Sequence, residues 1–125
     1  QVSNTIDPDS RMWGGKHPQD LRVELVDAKN HWYTIHKAVQ RQLRETPPVP
    51  YVSMVTHNIF EYSEPRDFRR QTMEKMIAHA KRIFADAEVD WKPGTVGDIA
   101  AAYRRRRPLA GAGKTKLELD RRAYG

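Results

Sequence analysis

Tyr51-Val52-Ser53-Met54-Val55-Thr56-His57-Asn58 is the stretch on which the reading of this chain turns. Apolar and β-branched residues run up to a histidine, and Pro47, Pro48 and Pro50 punctuate the approach. A short apolar run between turn signals predicts a buried strand. In open and barrel α/β folds, functional side chains project from the carboxyl ends of the strands. His57 stands at such an end, and a polar-aromatic loop through Pro65 follows it.

Working outward, residues 29–45 place Trp32, Ile35, Val39 and Leu43 three or four apart, one face of an amphipathic helix that Pro47-Pro48 stops. Before it, Leu21-Arg22-Val23-Glu24-Leu25-Val26 alternates apolar with polar and predicts a strand, with Asp27 as the cap of the next helix. After the central stretch, Ser63-Glu64-Pro65 supplies a helix start, with Ser63 as cap and Pro65 in the first turn. The helix expected over 66–87 carries Phe68, Thr72, Met73, Met76, Ile77, Ala80, Ile83 and Phe84 along one stripe. Val89-Asp90-Trp91 reads as a short strand and Lys92-Pro93-Gly94 as a turn. Thr95-x-x-Asp98 is a capping box opening a helix that buries Ile99, with Tyr103 on the same side. Strand, helix, strand, helix, short strand, helix predicts an α/β fold with a short parallel sheet flanked by helices. The chain then divides into an N-terminal arm (1–20) that docks through Met12 and Trp13, an α/β body (21–107) and a basic tail (108–125).

A chain of 125 residues with 38% apolar content is long enough to bury a core. It has no cysteine, which excludes disulfides and thiolate metal sites and leaves the redox compartment open. No apolar run approaches membrane-spanning length, and the N-terminus lacks the basic-then-apolar profile of a signal peptide. The chain opens on Gln1 rather than Met, as a processed or truncated product would. The net charge of +6 is not spread evenly. Residues 1–103 carry 14 basic and 14 acidic side chains, whereas residues 104–125 carry eight basic residues against Glu118 and Asp120. The body is therefore neutral, which argues against a phosphate-gripping face on it.

Among groups with chemistry, His57 is the first candidate, as a general acid or base at the end of a strand. His31 and His36, five apart on one helix, diverge by about 140° and do not share a metal. His79 lies on a helix flank and His17 in a loop, and the helical His-Glu-x-x-His zinc arrangement is absent. Gly111-Ala112-Gly113-Lys114-Thr115 ends like a phosphate-binding loop, but Pro108 stands where the motif needs its first glycine and four arginines where it needs a strand. Arg104, Arg105, Arg106 and Arg107 suit either a nucleic acid, with Tyr103 and Tyr124 to stack on bases, or a solvated helix end. Trp32, Trp91 and the methionines read first as core.

Residues 21–103 resemble the C-terminal half of a polysaccharide deacetylase-like domain, the NodB-type carbohydrate esterases. The similarity rests on the strand ending in His57, the long helix after it, and a closing Trp91, Thr95, Asp98 and Ile99 leading into the last helix. The resemblance implies a distorted (β/α) barrel and a metal-dependent hydrolase that removes acetyl groups from the amino sugars of a polysaccharide. It implies His57 as the general acid toward the departing amine, with Asn58, Phe60 and Trp91 lining the substrate cleft. In that family the first half holds a zinc-like divalent metal and the catalytic base, through an Asp-Asp pair and a His-x-x-x-His motif. Neither motif is in this chain, where Thr5-Ile6-Asp7-Pro8-Asp9 is similar to the acidic one only with proline splitting the pair. The chain therefore holds no cofactor of its own on this reading, and it is a fragment, a subunit completed by another polypeptide, or a non-catalytic relative. A half-barrel leaves sheet edges open and so calls for a partner. The alternative is a structural subunit of a larger assembly, such as a ribonucleoprotein, that uses Arg104 to Arg107, Lys114, Lys116, Arg121 and Arg122. A third reading is a module that binds glycans without catalysis.

Overall fold

The computed structural model describes residues 2–10, 18–24 and 28–107. They form strands β1 (Ile6–Asp7) and β2 (Gln19–Asp20) and helices α1 (Ala28–Glu45), α2 (Phe68–Asp86) and α3 (Val96–Arg106). The class is mixed α/β: three helices and one two-stranded antiparallel sheet, with Ile6 opposite Asp20 and Asp7 opposite Gln19.

Helix α1 forms where the apolar period requires it. Ile35 and Val39 are buried with Ala38, His31 and Thr34, Trp32 is half-buried, and Leu43 emerges at the far end, 45% exposed. The expected cap of this helix, Asp27, lies outside the described residues. After α1, Thr46 adopts a left-handed φ of 45° and Pro47 blocks further winding. Helix α2 turns Met76, Ala80 and Ile83 onto α1, and together with Leu21 and Val23 these residues make one core. Its cap is Asp67, not the expected Ser63. Asp67 has an extended backbone, accepts from Arg69 N at 2.8 Å and pairs with the Arg69 guanidinium at 2.9 Å. Residues 61–66 are instead used in two tight side-chain turns, Glu61 accepting from Ser63 N and Glu64 from Arg66 N. At the other end Glu88, at φ 54°, closes α2 in a Schellman motif, with Glu88 N donating to Ala85 O and Val89 N to Phe84 O.

The 51–57 stretch is extended but is not the centre of a parallel sheet. Its pairing with the 21–22 segment is a single parallel bridge, Arg22 with Val55, made by Val55 N donating to Leu21 O at 2.9 Å. On its other edge Thr5 N donates to Ser53 O and Ser53 N to Thr5 Oγ1. Residues 23 and 24 turn away on one side, and on the other the chain leaves after Thr5 to build β1, so neither edge continues as a ladder. Val52 and Val55 are half-buried and Met54 is 41% exposed, less covered than the run of apolar residues suggests. The described residues contain no barrel. Val89-Asp90-Trp91 forms no strand, because Val89 is engaged in closing α2. Residues 5–7 belong to the body through the pairings of Thr5 and Asp7, while Met12 and Trp13 lie outside the described residues.

Helix α3 has the expected capping box, with Asp98 N donating to Thr95 Oγ1 and Thr95 N to Asp98 Oδ2. No α3 residue is fully buried: Ile99 is half-covered and Tyr103, expected inside, is 51% exposed.

Candidate functional site

His57 sits where the extended stretch ends, and its side chain is 56% exposed. The residue that organises it is Glu24, whose side chain is only 7% exposed. Glu24 Oε1 collects four donors: His57 N at 2.6 Å, Thr56 Oγ1 at 3.0 Å, His57 Nδ1 at 3.2 Å and Tyr62 OH at 3.4 Å. The Thr56 and Tyr62 hydroxyls also touch each other. Glu24 Oε2 is buried and has no hydrogen-bond partner among the described residues. Burial pushes the Glu24 carboxyl up, but the His57 backbone N–H, its own backbone, the Thr56 hydroxyl and the His57 ring together hold it below the ordinary glutamate value. An ionised carboxylate has only lone pairs to offer, so Nδ1 is the donor and Nε2 is left on the exposed side of the ring.

The bridge between Arg22 and Val55 brings the 21–24 segment beside the 51–57 stretch, and so carries a carboxylate 33 residues away to His57. The loop after His57 is tied to the start of α2. Arg70 Nη1 donates to Tyr62 O at 3.0 Å, while its Nε pairs with Glu74. Phe60 lies edge-on to the His57 ring, centroids 6.4 Å apart, and the Arg69 guanidinium lies over Phe60 at 4.0 Å and over Phe68 at 4.7 Å.

Of the residues expected to line a cleft with His57, Phe60 is beside it and Asn58 is exposed in the adjoining turn. Trp91 is elsewhere: it packs on Phe84, centroids 5.6 Å apart, near the other end of α2 and roughly 22 Å along that helix from Arg69. Trp91 is also 47% exposed, not core. Glu24 was missed by sequence reasoning, and so was Tyr62. The available signal was a lone carboxylate in the segment expected to pair beside the strand of His57.

The other histidines are occupied differently. His31 is fully buried with Nε2 3.0 Å from Arg22 O, and His36 stacks on Trp32. Asp7 serves the fold: it is buried, pairs with Lys37 at 2.8 Å and accepts from Asp9 N at 3.1 Å. No three His, Asp or Glu side chains converge on a point that would hold a metal ion, among the described residues. Arg104 to Arg107 are exposed, and Arg106 Nη1 reaches back to Pro48 O. Lys114, Lys116, Arg121, Arg122 and Tyr124 lie outside the described residues. No helix among the described residues is long and apolar enough to cross a membrane.

Comparison with protein-family models, with the curated proteins and with the solved structures finds no match to this chain.

Proposed function

We infer that the chain is the late part of a polysaccharide deacetylase-like hydrolase acting on amino sugars, with His57 as the acid that protonates the departing amine. The observation that carries this reading is the pairing of a buried, ionised Glu24 with an exposed His57. Glu24 accepts the Nδ1 proton and fixes the ring plane, so that Nε2 is the atom from which a proton passes to the leaving nitrogen. Phe60 and Asn58 border the position a substrate would take. The described residues do not fit the divalent metal that this chemistry uses, so its ligands and the catalytic base would come from another polypeptide segment.

The test is acetate release from N-acetylglucosamine oligomers by the native protein, together with whatever polypeptide accompanies it. His57→Ala lowers kcat by about 10²-fold or more while the circular dichroism spectrum is kept. Undiminished turnover in His57→Ala would sink the role given to His57, and absence of acetate release from the native assembly would sink the reading itself. A second reading is favoured by the exposure of Arg104 to Arg107 at the end of α3: a polyanion-binding, structural role. It requires RNA binding that weakens with salt and is lost when the four arginines become alanine.

A further inference from the structure

A cavity of about 190 Å³ opens between α1 and α2, remote in composition from the His57 cluster. Its lining is Trp32, His36 and Gln40 on one side and Ile83, Asp86 and Ala87 on the other. The spacing of the α1 residues explains the wall: positions 32, 36 and 40 follow one another at four-residue steps along a single strip of the helix. Trp32 and His36 lie parallel, 8° between planes and 4.9 Å between centroids, and Tyr33 meets the Trp32 ring edge-on at 5.3 Å. Trp32 and His36 thus stand as one stacked step beside the cavity, with Ile83 as an apolar floor.

The polar atoms on this wall are idle. The Trp32 indole N–H, the His36 ring nitrogens and the Gln40 carboxamide have no hydrogen-bond partner among the described residues, although all three side chains are half-buried. Asp86 makes only a long 3.3 Å pair with Arg82 at the rim. Apolar ring faces next to unspent donors and acceptors are what a pyranose needs, since its C–H face stacks on an aromatic plane while its hydroxyls take hydrogen bonds at the edge. The volume falls below the ~300–1,000 Å³ of pockets for drug-sized ligands and suits a single ring. Arg69, which covers Phe60 beside His57, and Asp86 at this cavity stand roughly 25 Å apart along α2.

We propose that the Trp32–His36–Gln40 face and Asp86 form a second glycan-holding subsite, which binds an N-acetylhexosamine ring of the same polysaccharide away from the ring whose amide is cut. The proposal rests on the deacetylase-like reading for the identity of the sugar, not for the existence of the site. A subsite of this kind tethers a long chain while His57 meets successive units.

The experiment is titration of the full chain with the β-linked tetramer of N-acetylglucosamine, read by calorimetry and by the indole N–H resonances in a ¹H–¹⁵N spectrum. Saturable binding that shifts the Trp32 indole resonance is expected. Gln40→Ala and Asp86→Ala should each weaken it about fivefold or more, and Trp32→Phe should weaken it further. Lys75→Ala, exposed on α2 and outside the lining of the cavity, should leave the affinity within about twofold. Because Trp32 packs against the core, the rim variants and the wild-type resonance shift keep the test decisive even where Trp32→Phe unfolds. No binding, or binding that moves other resonances and ignores Gln40 and Asp86, overturns the subsite. Failure of His57→Ala to affect acetate release overturns the catalytic reading and leaves this one to its own titration.

Discussion

Glu24→Gln isolates what the buried carboxylate contributes. The change preserves shape and one acceptor oxygen but removes the charge on which four donors converge. A buried hydrogen bond to a charged group is worth about 1.5–3 kcal/mol, yet Thr56 and His57 are exposed and water competes for them. Counting the cluster as roughly one such bond gives a loss of about 2 kcal/mol at neutral pH. That is a large share of the ~5–15 kcal/mol that stabilises a domain. The loss should depend on pH in one direction. The folded-state value of Glu24 lies below its unfolded value, so its stabilisation is fully present above the ordinary carboxylate range and disappears as pH falls through the folded value. Urea unfolding followed by tryptophan fluorescence should therefore show a gap of about 2 kcal/mol near pH 7 that closes as acid takes the pH down through the folded value of Glu24. A gap under about 0.5 kcal/mol near pH 7, or one that persists unchanged in acid, would refute the reasoning.

Met76→Ala empties a fully buried position between α1 and α2 and should cost about 2–5 kcal/mol in the same assay, whereas Leu43→Ala, at a 45% exposed site, should cost under about 1 kcal/mol. Glu88→Gly relieves a left-handed residue at the end of α2, and a gain of about 0.5–1 kcal/mol in unfolding free energy is expected after the added glycine entropy is discounted. Thr95→Ala removes the cap of a helix with no buried residue, so ellipticity at the helical minimum and amide protection over 96–106 should both fall. Hydrogen bonds from Thr95 hold the Asp98 carboxyl below its usual range, so the wild-type α3 keeps its cap above that range and frays as acid protonates Asp98.

The helices were legible because a helix buries a stripe defined by its own period. Residues 29–45 were expected and Ala28–Glu45 is found, and Thr95 with Asp98 announced the start of α3 by local chemistry alone. The strands were not legible to the same degree. The apolar run through Val52, Met54 and Val55 says that cover is wanted, but the cover depends on neighbours, and those turn away at Val23 and after Thr5. Ser63 was the expected cap of α2, but the turns made by Glu61 and Glu64 take up that segment and Asp67 caps the helix instead. His57 could be singled out by position, whereas its partnership with Glu24 spans 33 residues and exists only once the two segments lie side by side. Tyr103 and Trp91 were expected to be covered because aromatic residues commonly are, yet nothing among the described residues packs over them fully.

Gln42 does for residue 51 what a neighbouring strand would do. Its Oε1 accepts from Tyr51 N at 2.7 Å and its Nε2 donates to Tyr51 O at 2.8 Å, so one carboxamide satisfies both backbone groups. The arrangement has a chemical lifetime. Hydrolytic deamidation of Gln42 to glutamate would change almost no volume but would replace the donor facing the Tyr51 carbonyl with a second acceptor, leaving two oxygens opposed. The stretch that leads to His57 would then lose its anchor on α1, so ageing of a single side-chain amide would loosen a histidine fifteen residues further along the chain.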